Sequence, residues 1–105
     1  MYIELTTVDG VVTAALKEAD DFTRFHLLLD HSADGDAGAV VAAVGIGMPH
    51  GDQDVAISID WLRAASGRAA DSTWLAQFQA MLDSVRKYGW ITEDGQFVIA
   101  HVERQ

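Results

Sequence analysis

Along this chain, short segments in which apolar and polar residues alternate are interspersed with longer stretches carrying an apolar residue every third or fourth position. Over residues 2–7, Ile3 and Leu5 alternate with Glu4 and Thr6, and the aromatic and β-branched content predicts a strand. Asp9-Gly10 then allows two continuations. One is a two-residue hairpin turn returning through residues 11–16; the other is a helix with Asp9 as its N-cap. The later spacing favours the helix, because Val12, Ala15, Leu16, Ala19, Phe22, Phe25, Leu28 and Leu29 fall on one helical face. Its opposite face sets Lys17 four residues before Asp21, and Asp20 four before Arg24, as helical ion pairs require.

Residues 39–46 are ambiguous between a buried helix and a buried strand, and Val40, Val41 and Val44 between glycines tilt them to strand. Val55, Ile57 and Ile59 alternate with Asp54, Ala56, Ser58 and Asp60, a cleaner strand pattern, followed by a helical turn at 61–65. The second helix is the best-marked element. Asp71 or Ser72 caps it, and Trp74, Leu75, Phe78, Met81, Leu82 and Val85 form its apolar stripe. Arg86 and Lys87 suit its negative end, and Gly89 and Trp90 occupy the positions of a Schellman termination. Glu93-Asp94-Gly95 turns the chain into residues 97–102, nearly continuous in apolar character and expected to form a central strand covered on both faces.

In chain order these elements read βαββαβ: an α+β, ferredoxin-like domain spanning 1–105, with two helices packed on one face of a four-stranded antiparallel sheet. The second sheet face would carry Tyr2, Glu4, Val41, Ala43, Gly45, Ala56, Ser58, Ala100 and Val102. Such a surface is too apolar to leave in water, so a bound ligand or a second copy of the chain is expected to cover it, the latter as a homodimer.

Composition narrows the chemistry. The 105 residues include no cysteine and one proline, which removes disulfides, zinc ribbons, iron–sulfur sites and a cysteine nucleophile. The net charge of −9 lies wholly within residues 1–60, where 11 acids face 2 bases, while the remainder carries 5 of each. Phosphate backbones and anionic membranes need clustered Lys and Arg, so neither nucleic acid nor membrane is expected as a partner, whereas a basic protein is compatible with the charge. The longest apolar stretch, 39–48, is too short for a membrane span, and no signal-peptide pattern opens the chain, so a cytoplasmic location is expected. No nucleotide-binding glycine loop or serine elbow is present, and no cofactor is expected.

Two short segments carry resemblances. Asp30-His31-Ser32-Ala33-Asp34-Gly35-Asp36 resembles the first half of an EF-hand calcium loop, matching positions one, three, five and six, but Val41 stands where that family has a bidentate Glu. Gly45-Ile46-Gly47-Met48-Pro49-His50-Gly51 is similar to the phosphohistidine segment of sugar phosphotransferase EIIA proteins, which implies phosphoryl acceptance at His50; Gly47 replaces that family's alanine. Among the four histidines no pair has the i,i+4 spacing of a helical metal site, although His26 and Asp30 do, and no metal is expected. His101 interrupts an apolar strand and must find a partner or line a cavity.

These features lead to a small non-catalytic binding or regulatory domain, dimeric, holding a partner or an apolar small molecule on an open sheet face. Tyr2, Trp61, Trp90 and His101 are the expected ligand contacts. The rival is a small dimeric α+β-barrel enzyme of oxygenase, isomerase or cyclase type, with His101 and His50 as catalytic residues in a closed pocket. A third reading is an acidic protein-interaction module.

Overall fold

The computed structural model describes residues 1–30, 36–51 and 53–104. Six strands and three helices follow in the order β1 (Tyr2–Val8), β2 (Val11–Lys17), β3 (His26–Leu29), α1 (Ala37–Ala43), β4 (Gly47–His50), β5 (Asp54–Ser58), α2 (Ile59–Ala65), α3 (Ser72–Arg86) and β6 (Phe97–Arg104). The strands form one mixed, strongly curled half-barrel sheet in the order β2-β1-β3-β6-β5-β4. β3 runs parallel to both β1 and β6, and the other three pairings are antiparallel. The expected four-stranded antiparallel ferredoxin-like sheet is therefore incorrect, and two local misreadings account for it.

The first lies at Asp9-Gly10. Both residues take positive φ, 54° and 77°, the pair of left-handed conformations that a type I′ turn needs and a helix start forbids. β2 returns directly against β1, with Val8 opposite Val11 and Tyr2 opposite Lys17. The apolar residues assigned to one helical face separate accordingly. Val12 and Leu16 half-bury on β2, Phe22 and Phe25 pack from the following loop, and Leu29 is buried on β3. Asp20 pairs with Arg68 at 2.9 Å, not with Arg24.

The second lies at residues 39–46, where α1 replaces the expected strand. Asp36 caps it by accepting from the Gly38 amide at 3.0 Å. Gly45, at φ 79°, ends it with both Schellman bonds, Ile46 N–H to the Val41 carbonyl and Gly45 N–H to that of Ala42. The glycines that bound the segment thus serve a helix end.

Elements marked by strong local chemistry form as read. Asp71 caps α3 through the Trp74 amide, Trp74, Phe78, Met81 and Leu82 are buried along it, and Gly89 with Trp90 completes a Schellman end on Val85 and Arg86. β6 is central, next to β3 at the middle of the sheet, but only one of its faces is covered.

All three helices contribute to a single core. Ile3 and Leu5 of β1, Leu27 and Leu29 of β3, Val55 and Ile57 of β5, and Val98 and Ala100 of β6 join Val41, Leu62, Trp74 and Phe78 in one cluster. Strand alternation sends the intervening residues to the opposite, outer face. Of the residues expected there, Tyr2, Glu4, Ala56 and Ser58 take such positions, whereas Ala100 faces the core and Val41 and Ala43 belong to α1. Among the described residues, no helix is long and apolar enough to cross a membrane.

Two contacts test this packing. Trp74 is 1% exposed, stacks on Phe78 with centroids 4.9 Å apart, and donates its indole N–H to the Ala19 carbonyl at 2.9 Å. Trp74→Phe leaves that carbonyl unpaired and a partial void, and is expected to lower unfolding free energy by about 2 kcal/mol in urea titration. At Gly47 any Cβ would run into the Ala56 carbonyl of the neighbouring strand. Gly47→Ala is therefore expected to cost roughly 1–3 kcal/mol, read in the same way, by forcing β4 off β5.

Candidate functional site

One row of residues crosses the outer face. Register places Tyr2 beside His26, His26 beside His101, His101 beside Asp54, and Asp54 beside His50, from β1 through β3, β6 and β5 to β4. The Tyr2 and His26 rings stack at 5.1 Å, nearly parallel at 7°. His26 Nε2 lies 3.3 Å from Glu103 Oε2, so its partner is on β6 and not the Asp30 expected from helical spacing. His101 Nδ1 lies 3.3 Å from Asp54 Oδ1. An ionised carboxylate only accepts, so Nδ1–H is the donor and, in the neutral ring, Nε2 keeps its lone pair for a hydrogen bond from a ligand. The side chains of His101 and Asp54 are 58% and 42% exposed, which places the pair in reach of solvent.

Two grooves meet at this pair. One, about 360 Å³, lies toward Asp36, Gly38, Gly51, Gln53 and Arg104. The other, about 350 Å³, is lined by Phe25, Trp90 and Ile99 together with Asp54 and His101. This second groove combines an apolar wall and a polar pair on a rigid support, the arrangement typical of small-molecule sites.

Trp90 is held there by the backbone on both sides. Its N–H completes the α3 Schellman end on the Val85 carbonyl, and its own carbonyl accepts from Ile99 N–H at 2.8 Å. The next residue, Ile91, bridges Val98 and packs on the core, so Trp90 falls on the outer side of the sheet. The residue nevertheless remains 51% exposed.

Of the expected ligand contacts, the structure brings Trp90 and His101 into one groove. Tyr2 lies on the same face two strands from His101, stacked on His26. Trp61 belongs elsewhere, half-buried on α2 against the core. His50, on exposed β4, takes the end of the row and does not line either groove. Phe25, Asp54, Ile99 and His26 are the site residues that sequence reasoning missed. Strand alternation sets the faces on which Asp54 and Ile99 lie but not what they meet there, whereas Phe25 and His26 were hidden by the helical reading of residues 9–29. The EF-hand resemblance falls largely on residues 31–35, outside the described residues, and the segment before it is a strand where that family has a helix. Among the described residues, no three His, Asp or Glu side chains converge as a metal site.

No family model, curated protein or solved structure matches the chain.

The turn that follows Trp90 is fastened by Asp94, whose carboxylate accepts from the Thr92 hydroxyl at 2.6 Å and the Gln96 amide at 3.0 Å. The Thr92 hydroxyl is the main cause, and the Gln96 amide the second, of an Asp94 pKa below the ordinary 3.8. A depressed carboxylate stabilises the fold above its unfolded value and loses that contribution as pH falls through the lower folded value. Thr92→Val is expected to raise the Asp94 pKa toward 3.8, read by carboxyl-carbon NMR titration; an unchanged titration would show that the hydroxyl does not hold it.

Proposed function

We propose that this chain is a small-molecule-binding domain that holds an apolar ligand of aromatic size in the groove on the outer face of its sheet. The observation that carries this reading is the convergence of Phe25, Trp90 and Ile99 on the His101–Asp54 pair around about 350 Å³ of space. The apolar wall supplies affinity through buried area. The imidazole supplies a polar end to the groove, where its second ring nitrogen can orient a ligand that carries a hydrogen-bonding group. The groove is open along the sheet, which favours a binding module over the α+β-barrel enzyme, whose chemistry calls for a substrate closed off from water.

Native mass spectrometry of the protein purified from its own cells, compared with the same sample after denaturation, tests the reading. The native spectrum is expected to carry a small-molecule adduct that the denatured one lacks, and Trp90→Ala is expected to lose most of it. A bare chain, with groove amides that do not move in NMR spectra when aromatic probes are added at millimolar concentration, would overturn the proposal. The same spectra count subunits and so test whether a second copy covers this face.

A further inference from the structure

The charge of the groove wall selects among the ligands that would fit it. Its lining comprises one carboxylate, one imidazole, two aromatic rings and one aliphatic side chain, with neither Lys nor Arg. Asp54 engages His101 through Oδ1 while its side chain stays 42% exposed, so the carboxylate still faces incoming solute. Trp90, a residue 51% exposed, carries the most electron-rich ring available to a protein side chain, and aromatic faces attract cations. The protein as a whole is acidic, with a net charge of −9, and such an excess of carboxylates concentrates cations and repels anions.

We infer that the groove takes an organic cation, an ammonium or quaternary ammonium group attached to an apolar or aromatic body, with the charge lying between the Asp54 carboxylate and the Trp90 ring. This rests on the groove being a ligand site, and it adds the chemical class of the ligand. An organic anion of the same size would meet the Asp54 carboxylate with neither Lys nor Arg in the lining to offset it. A neutral one would forgo both the ionic and the cation–π contact.

Three probes of nearly equal size and different charge decide the matter: benzylammonium, benzyl alcohol and benzoate, titrated separately at pH 8 into the full chain and read by proton–nitrogen NMR. The Trp90 indole signal and the Ile99 and His101 amides report the groove, and the buried Trp74 indole, bonded to the Ala19 carbonyl, reports that the fold is intact. Benzylammonium is expected to bind roughly fivefold or more tightly than benzyl alcohol, and benzoate most weakly. Asp54→Asn and, independently, Trp90→Leu are each expected to bring the cation to within about twofold of benzyl alcohol, the Leu variant being read at Ile99 and His101. If benzyl alcohol or benzoate binds as tightly as the cation, or if both variants keep the preference, the charge assignment is overturned while the groove stands as a binding site. If none of the three moves these signals, the groove itself is lost as a ligand site.

Discussion

The sheet is held together at its middle by a strand of four residues. β3 pairs with β1 on one side and β6 on the other, both in parallel, and so joins the β1–β2 hairpin to the three C-terminal strands β6, β5 and β4. So short a strand contributes few ladder bonds, and its anchor is side-chain burial: Leu27 and Leu29 are 0% and 2% exposed in the shared core, each worth about 1.5–3 kcal/mol when removed from water. The same register fixes the outer face. Because side chains alternate with period two, burying Leu27 and Leu29 obliges His26 to lie outward, beside His101, and a slip of one residue would place the imidazole in the core.

A one-sided core leaves the other face to water. With all three helices gathered against Ile3, Leu27, Val55, Val98 and their neighbours, the outer face carries Tyr2, His26, His101, Asp54 and His50 in a single row, and Trp90 is delivered to it by the Schellman end of α3. No polar or charged side chain is fully buried among the described residues. The histidine–carboxylate pairs therefore incur little desolvation cost, and they sit where a ligand arriving from solvent meets them first. The chemistry of this face is recognition by shape, aromatic surface and charge, built on strands whose positions the core dictates.

Legibility followed the reach of the signals. α3 was readable to within a residue because its cap at Asp71, apolar stripe and Gly89 exit all act within a few positions of one another; β1 and β5 were visible through alternation, and β6 through its nearly continuous apolar run. Residues 9–29 failed because apolar residues spaced for a helix can also satisfy strands and a loop: Val12 and Leu16 serve a strand as readily as a helix, and Phe22 and Phe25 fill space from an irregular segment. Only the left-handed pair at Asp9-Gly10 discriminates between them, and it speaks through backbone conformation. At the site, His101 and Trp90 were legible as a polar interruption in an apolar strand and an aromatic residue at the Schellman end of a helix. Their companions Asp54, Phe25 and Ile99 were not singled out, since nothing in the sequence places residues 25, 54 and 90 side by side.

The sequence by itself therefore determined the capped helix over residues 72–86, three of the strands, the concentration of negative charge in residues 1–60, and the absence of any cysteine chemistry. These are local or compositional properties, set by side chains within a turn or two of one another or by simple counting. Strand order, the choice between helix and hairpin after Asp9, and the meeting of Phe25, Asp54, Trp90, Ile99 and His101 were decided by tertiary structure alone. Each depends on which apolar faces bury one another across long sequence separations, and a periodicity that several backbones can satisfy acquires a single meaning only when the core is closed.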